Sequence, residues 1–252
     1  MQVFAKTDTG LVRQENQDRV IYKMLDENTV FVIVCDGMGG ENAGSEASEI
    51  ASKAIYNRIH QNYRSDANYN SLKNIMISAV NAANIIVHDI SLSDDKKIGM
   101  GTTCVCGIIR KDIALILNVG DSRAYRYHNR GLEQITKDHT YVQFLYEQGE
   151  LDEEGMKVHP ERNKITKAVG IEETISPDYY EIDLNENDLL LFCSDGLSGY
   201  CTASHIIEAL SSISDLETAS NNLINYALQQ GGRDNITVAL VTDSMIQERD
   251  NG

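Results

Sequence analysis

The sequence has very little proline and no composition typical of a linker. Two prolines occur in 252 residues, no stretch rich in serine and glycine interrupts the chain, and no repeat or low-complexity tract is present. These absences argue against repeat arrays and strings of small domains. We therefore predict a single domain over residues 1–244, followed by a short polar tail over residues 245–252.

Long hydrophobic runs and an excess of basic residues are also missing. No segment reaches the roughly 18 consecutive apolar residues of a membrane span, and the first residues, MQVFAKTDTG, do not form a signal sequence. We therefore expect a cytoplasmic protein without membrane insertion. With 22 basic and 38 acidic side chains, the formal charge is −16, which opposes binding to nucleic acid and favours cations as neighbours.

The cysteines do not form a disulfide framework. There are five, an odd number, and each lies in or beside an apolar segment: Cys35, Cys104, Cys106, Cys193 and Cys201. We predict reduced thiols in the core. The six histidines show no zinc-ligand spacing with one another or with the cysteines, and only His139 and His159 are candidates for approaching a site.

Apolar periodicity predicts strands in runs and helices in pairs. Strands are predicted at 2–7, 19–25, 29–35, 102–110, 113–119, 122–128, 178–183, 188–194 and 235–242. Helical spacing is seen over 47–59, 72–87, 202–211 and 215–230. This order indicates an α+β fold of sheets covered by helical pairs, in which the three strands of 102–128 form an antiparallel meander.

Residues 150–176 fit neither pattern and are predicted to form a long surface excursion. Excursions of this length are often functional lids, and disorder is the alternative. The segment carries a basic cluster in an acidic protein: Lys157, His159, Arg162, Lys164 and Lys167. A solvated surface is the favoured interpretation of that cluster.

Three carboxylates stand at the ends of apolar strands. Asp36 follows VFVIVC, Asp195 follows LLLFCS, and Asp234 precedes NITVALV. Acids fixed beside a core repel one another and lose solvation unless a cation compensates them. Ordinary Asp-Gly turns are the alternative for the first two, but oxygen ligands of this kind suit magnesium or manganese.

A pair of such ions implies hydrolysis of a phosphate ester. Asp36 could bridge two ions and the Gly37 carbonyl could approach them closely. Two ions roughly 3.5–4 Å apart activate a shared water as hydroxide and stabilise an in-line displacement at phosphorus. Arg13 is a candidate phosphate ligand, with a plain surface arginine as the alternative. Asp121 is a further acid at a strand end, and spacing leaves open whether Arg123 pairs with it.

Seven segments then carry a family resemblance. In order, they are DTGLVRQENQD, VCDGMGGENAGSEAS, GMGTT, LNVGDSRAYR, KDHT, LLLFCSDGLSG and GGRDNITV. Together they resemble the motifs of the metal-dependent type 2C serine/threonine protein phosphatases, particularly the bacterial branch, over Asp8 to Val241.

The resemblance implies a four-layer α-β-β-α sandwich, with two stacked antiparallel sheets between helical pairs and residues 150–176 as a flap. It implies a centre of two Mn²⁺ or Mg²⁺ ions and a third, weaker one. The residues that match the family's ligands are Asp18, Asp36, Gly37, Asp121, Asp195 and Asp234, and Arg13 matches its phosphate-binding arginine. The implied reaction is hydrolysis of phosphoserine and phosphothreonine in proteins by a metal-bridging hydroxide, which opposes a cognate serine/threonine kinase. Separately from the resemblance, we expect a monomer.

Two departures from the family pattern stand out. Met38 occupies a position where many eukaryotic members carry a histidine proposed as general acid, so no imidazole is available there. Gln17 stands where many relatives have glutamate, which reduces the negative charge near the centre. Neither change removes a direct aspartate ligand.

Other functions are weighed against this one. Cys104 and Arg110 have the Cys-x5-Arg spacing of thiol-based phosphatases, but the intervening VCGII predicts a sheet strand instead of a phosphate loop. No GxxxxGK[ST] loop for nucleotide phosphates occurs. A catalytically inactive module that binds phosphoproteins is the remaining alternative, and the intact acids argue against it.

Overall fold

Two antiparallel β-sheets form the centre of the described part of the chain, which comprises residues 1–40, 43–211 and 215–243 of a computed structural model. The predicted tail over 245–252 lies outside these ranges. The first sheet contains, in spatial order, β1 (Gln2–Asp8), β11 (Ile236–Thr242), β10 (Leu189–Cys193), β7 (Arg123–His128) and β8 (Gly131–Gln134). The second contains β2 (Asp18–Asp26), β3 (Thr29–Met38), β5 (Cys104–Arg110), β6 (Ile113–Val119) and β9 (Asp178–Asp183), and β4 (Gly101–Thr102) pairs with β3.

Two long helical pairs and several short helices accompany the sheets. The first pair is α1 (Ala43–Asn62) and α2 (Tyr69–Ser93), and the second is α6 (Ala203–Ser211) and α7 (Leu216–Gln229). Between them lie a 3-10 turn (Asp95–Lys97), α3 (Tyr141–Glu147), α4 (Glu153–Val158) and α5 (Asp195–Ser198). The short helices and β8 had no signal strong enough for prediction.

Strand alternation sorts the buried side chains into three hydrophobic clusters. Val32 and Val34 of β3 pack with Phe192 and Val241 of the first sheet, whereas Ile33 points the other way into a cluster under α1 and α2. A third cluster joins the first sheet to α6 and α7. The four layers are therefore helices, sheet, sheet and helices, and the predicted α+β sandwich is confirmed.

Helix α2 has the length and composition of a membrane span. Its residues Leu72, Met76, Ala79 and Val80 are nevertheless fully buried in the cluster under α1 and α2. A core helix passes the same test of length and composition, so α2 is weak evidence for a span.

The predicted meander over 102–128 is only half right. β5 and β6 pair as expected, but β7 pairs with β10 in the other sheet. The chain changes sheets at Gly120, which has φ +103°, and a Cβ there would lie 2.6 Å from the Thr103 Cγ2 atom. Glycine readily adopts this positive φ angle. The chain can therefore leave the β5–β6 hairpin here, and β7 joins the other sheet.

The flap, residues 150–176, is partly buried, so the prediction of a purely surface excursion is wrong for residues 168–170. Val169 is fully buried and exchanges two main-chain hydrogen bonds with Thr102, with N–O distances of 2.8 and 3.0 Å. Lys157 and Lys164 pair with neighbouring glutamates at the surface, as the solvated interpretation predicts. Lys167 instead pairs with Asp178 at the base of the flap.

Candidate active site

The fold brings the strand-end carboxylates to one edge between the sheets. Asp18 opens β2 and lies opposite Asp36 near the end of β3 in the antiparallel register. Asp195 follows β10 and Asp234 precedes β11, and these two strands are also antiparallel neighbours. Asp18 is buried, whereas the other three keep part of their surface open to solvent. An open cluster of acids is suited to binding a cation together with a ligand.

The pKa values of the acids are shifted by burial and by their closeness to one another. Desolvation, followed by the charges of Asp18 and Asp195, raises the pKa of Asp36 well above its usual range. Desolvation and then the charge of Asp234 raise the pKa of Asp195, whose carboxyl is in hydrogen-bond contact with that of Asp36. Burial and like charge therefore raise the cost of ionising these acids, and a bound cation would offset that cost.

Asp18 has one satisfied and one unsatisfied carboxylate oxygen. Its Oδ2 atom accepts hydrogen bonds from Ser194 Oγ at 2.7 Å and Thr237 Oγ1 at 2.6 Å. Its Oδ1 atom is buried and has no partner among the described residues. Desolvation raises the pKa of Asp18 to about 7, although the two hydroxyl groups oppose that rise. The orphaned oxygen is free for a cation or its water.

Asp121 is also a buried acid with a carboxylate oxygen that has no partner in the described part of the chain, and Arg123 pairs with a different residue. Arg123 donates to both carboxylate oxygens of Asp138, at 2.6 to 3.1 Å, and to the Tyr125 hydroxyl. Asp121 is 8% exposed, its Oδ1 atom has no partner among the described residues, and desolvation raises its pKa to about 7. Asp121 is thus left available as an acid beside Asp195.

The main chain around Asp36 is fixed by close contacts. Asp36 N donates to Thr103 Oγ1 at 2.9 Å, and the Asp36 carbonyl accepts from Thr102 Oγ1 and Thr103 N at 2.8 Å each. A Cβ on Gly37 would lie 2.0 Å from the Gly44 carbonyl oxygen, so only glycine fits where β3 meets α1. The two threonines were missed as site residues, although the motif GMGTT was the available signal.

Arg13 lies at the rim of the carboxylate edge. Its Nη2 atom is 2.8 Å from Asp234 Oδ2, its side chain is 54% exposed, and the hydrogen bond to Asp234 raises its pKa. Asn235, which was also missed, holds the loop that carries Arg13. Its side chain accepts from Gln17 N and donates to the Thr9 and Glu15 carbonyls at 2.8 to 2.9 Å.

Of the two candidate histidines, His139 contacts the loop that precedes Asp121. Its Nδ1 atom accepts from the Gly120 main chain at 3.0 Å, and its Nε2 atom is 3.2 Å from Asp178 Oδ2. Desolvation lowers its pKa. The ring therefore connects the loop before Asp121 to the base of the flap. His159 lies in the flap and contacts the Tyr141 ring.

The thiol-based alternative is inconsistent with the structure. Cys104 and Arg110 are the two ends of β5, which pairs with β3 and β6 along its length. The thiol is fully buried and its pKa is raised well above the usual range, and Arg110 donates to the Ala67 carbonyl and the Tyr63 hydroxyl. The amides are engaged in the sheet and the thiol stays protonated, so no phosphate loop exists here. As predicted, all five cysteines are free and buried.

The donor set fits hard divalent cations. Carboxylate oxygens, two of them orphaned, and the Gly37 main chain provide ligands of the type that Mg²⁺ and Mn²⁺ prefer. Within residues 1–40, 43–211 and 215–243, no three histidine, cysteine or acidic side chains form a ready group around one ion. An ion bound here would therefore complete its coordination with water or main-chain oxygen, as Mg²⁺ commonly does.

The raised pKa values predict an unusual pH dependence for the metal-free protein. The carboxyl groups of Asp18 and Asp121 have an ordinary pKa of 3.8 in the unfolded chain and a pKa of about 7 in the folded protein. The folded state binds more protons between these values, so its stability should fall as pH rises from about 4 to above 7. We expect a melting temperature in chelator that is several degrees lower at about pH 8 than at about pH 5.5.

Adding Mg²⁺ or Mn²⁺ provides the control for this prediction, because a bound cation removes the cost of ionising the acids. The melting temperature should then change little, or rise, between the two pH values. A metal-free protein that becomes more stable as pH rises through this window would contradict the crowding of acids described above.

Comparison with known proteins gives one consistent result. The family model described as "Protein phosphatase 2C" matches residues 12–240. The serine/threonine phosphatase stp of Listeria welshimeri is 33% identical over 243 residues, which cover 96% of both chains. The solved serine/threonine phosphatase of S. agalactiae is 31% identical and superposes with a TM-score of 0.90, over 96% of this chain and 99% of that one.

One further solved structure bears on the cation. The catalytic domain of the serine threonine protein phosphatase PstP in complex with 2 manganese ions is 30% identical and has a TM-score of 0.81, over 95% of this chain and 96% of that one. The match of motif order, fold and full-length identity leaves a single assignment. The chain belongs to the protein phosphatase 2C family and is a protein-serine/threonine phosphatase of the bacterial type.

Proposed function

We propose that this phosphatase requires Mn²⁺ or Mg²⁺ and hydrolyses phosphoserine and phosphothreonine at the carboxylate edge. The observation that supports this most strongly is the gathering of acids whose pKa values are raised by burial and by one another. The residues that would hold two ions are Asp36, the Gly37 carbonyl, Asp195 and Asp234. When bound, the ions supply an activated water and stabilise the charge that develops on the phosphoryl group.

The remaining acids have supporting roles in this proposal. Asp18 is held by Ser194 and Thr237, so its orphaned oxygen would orient a ligand water. Asp121 would hold, with Asp195, a third and weaker ion. Because Met38 provides no imidazole, protonation of the leaving oxygen would fall to water.

Arg13 is placed to bind the substrate phosphate. Its exposed guanidinium lies beside Asp234, and one of its nitrogen atoms is used in that contact. The planar guanidinium has five N–H donors, so binding to Asp234 leaves others for phosphate oxygens. The contact with Asp234 would also keep the side chain oriented before substrate arrives.

The proposed substrates are phosphorylated serine/threonine proteins in the cytoplasm, among them a cognate serine/threonine kinase. The phosphatase relatives support the substrate class. We propose that the protein acts as a monomer and opposes that kinase. The intact acids of the carboxylate edge argue against the alternative of an inactive phosphoprotein-binding module.

Arg13→Ala should weaken substrate binding more than turnover. We expect KM for a phosphothreonine peptide to rise about tenfold, with kcat within roughly threefold of wild type, because a contact made in both ground and transition states is lost. Steady-state kinetics over a range of peptide concentrations measure both values. Arg233→Ala is the matched control, because it also removes an arginine, the one that directly precedes Asp234 in the loop before β11. An unchanged KM in Arg13→Ala would refute the phosphate-binding role.

Phosphate release from a phosphothreonine peptide after chelation tests the metal dependence directly. We expect activity to disappear in chelator and to return with Mn²⁺ or Mg²⁺, and Asp195→Asn to remain inactive under both conditions. Circular dichroism checks that the variant is folded. A folded wild-type protein that binds the peptide but stays inactive with every divalent metal would support the inactive module instead.

A further inference from the structure

An apolar pocket opens at Met38, two residues after Asp36 in β3. It has a volume of about 100 Å³ and its apolar lining is formed by Met38, Ile165, Ala168, Ile171 and Ile175. Thr166, Lys167 and Glu172 also border it, and Lys167 is paired with Asp178. We call this space the Met38 pocket. Nothing in the proposed hydrolysis uses it.

The pocket and the proposed catalytic acid lie on the same side of one strand. Asp36 and Met38 are two residues apart in β3, and alternate residues of a strand point to the same face. At the rise of a strand, their Cα atoms are separated by roughly 7 Å. A ligand held at Asp36 therefore has the Met38 pocket within reach of its neighbouring groups.

Several contacts keep the pocket open. Met38 lies opposite Gly101 in the register, and a Cβ on Gly101 would lie 2.8 Å from the Ile171 Cδ1 atom. The missing side chain thus makes room for Ile171 at the pocket's edge. On the other side, Asn84 of α2 accepts from Gly170 N at 2.7 Å and donates to the Glu172 carbonyl at 2.9 Å.

The flap segment that lines the pocket is consequently tied to both β4 and α2. Val169 is paired with Thr102 through two main-chain hydrogen bonds, and Asn84 is 1% exposed. A pocket formed by fixed main chain is available before any ligand binds. A side chain can therefore enter it without the free-energy cost of reorganising the flap.

The size and lining of the pocket select an aliphatic group. A volume of about 100 Å³ is well above the roughly 10–15 Å³ that a cavity needs to hold one water molecule, so it has room for the few carbon atoms of valine, leucine or isoleucine. Ile171 is 42% exposed, so a further apolar group would cover surface that now faces solvent.

We infer that the Met38 pocket binds an aliphatic side chain of the phosphoprotein substrate, about two residues from the phosphorylated serine or threonine. In an extended peptide, side chains two residues apart point the same way and are separated by roughly 7 Å, which matches the spacing of Asp36 and Met38. This inference rests on the proposed catalysis at Asp36. It makes Met38, in place of a histidine, part of a specificity pocket.

A set of phosphothreonine peptides tests the inference. All flanking residues are alanine in the reference peptide, and a single leucine is placed at each flanking position in turn. We expect kcat/KM to rise about tenfold for leucine at one position, about two residues from the phosphothreonine, and to change little elsewhere. An apolar contact of this size gives discrimination of that order.

Two variants assign the preference to the pocket. Ala168→Leu should fill it and Ile171→Ser should remove its apolar edge, and each should reduce the preference to about twofold or less. Hydrolysis of p-nitrophenyl phosphate, which has no flanking side chain, should stay at the wild-type rate in both. If Ala168→Leu fails to fold, the surface variant Ile171→Ser decides.

The outcomes separate this inference from the proposed function. Equal kcat/KM for all leucine positions, or a preference that survives both variants, would overturn the inference while leaving the metal-dependent hydrolysis intact. A wild-type protein that hydrolyses neither p-nitrophenyl phosphate nor any peptide with Mn²⁺ would overturn both.

Discussion

Asp36→Asn should reduce phosphatase activity by a factor on the order of 10³ or more without unfolding the protein. Substitution of a residue that only supports a metal ligand commonly lowers metal affinity or activity 10- to 100-fold. Asp36 is itself a proposed ligand, and it would bridge both ions. Burial and neighbouring acids hold its pKa well above the usual range. The neutral amide therefore removes a charge that the metal-free fold tolerates poorly.

The removal of this charge should also be visible in the melting temperature of the metal-free protein. In chelator, the melting temperature of Asp36→Asn at about pH 8 should equal or exceed that of the wild type, because ionisation of a crowded acid no longer costs stability. Asp112→Asn, at the exposed turn between β5 and β6, is the matched control and should alter neither activity nor melting temperature. Substantial activity in Asp36→Asn with Mn²⁺ would exclude Asp36 as a ligand.

Gly37→Ala should lower both stability and activity, although it adds one methyl group. The new Cβ would lie 2.0 Å from the Gly44 carbonyl oxygen and 2.8 Å from the Gln17 carbonyl oxygen. Both atoms belong to the main chain, so β3 and α1 must separate. Overpacking of this kind costs about 3 kcal/mol or more, which corresponds to a melting temperature lower by roughly 6–12 °C.

Gly40→Ala controls for the general effect of replacing a glycine in the same motif. A Cβ at that position has only the Lys96 carbonyl oxygen nearby, at 4.0 Å. We expect its melting temperature to stay within about 2 °C of the wild type. If Gly37→Ala proved as stable and active as Gly40→Ala, the close crossing of β3 and α1 would not be needed for the site.

The sequence predicted most of this fold because its signals were local. Continuous apolar runs such as the one before Asp36 become buried strands wherever they occur, and helical spacing predicted the four long helices. The change of sheets at Gly120 was missed because it depends on a backbone angle and on contact with Thr103, neither of which leaves a periodic pattern. Residues 168–170 were missed because their burial comes from pairing with Thr102, a residue distant in sequence.

In the candidate site, too, features with a local sequence signal were predictable, whereas contacts between distant residues were not. Carboxylates directly after buried strands were predictable because strand ends fix them in place, and the structure brings them to one edge. The partner of Arg123 was not predictable, since Asp138 lies on a different segment and reaches it only through the fold. The role of Asn235 was hidden for the same reason, because its three partners lie more than 200 positions earlier.

The pairing of β1 with β11 has a consequence for how the protein is made. Residues 2–8 pair with residues 236–242, and Arg13 meets Asp234 across 221 positions. Closing so long a loop is slow, and contacts between distant positions generally delay folding. On the ribosome, β1 must therefore remain without its partner strand until residues 236–242 have emerged. A chain that has not yet reached β11 would hold most of the acids but not the assembled centre, so phosphatase activity should arise only after residues 236–242 have been synthesised.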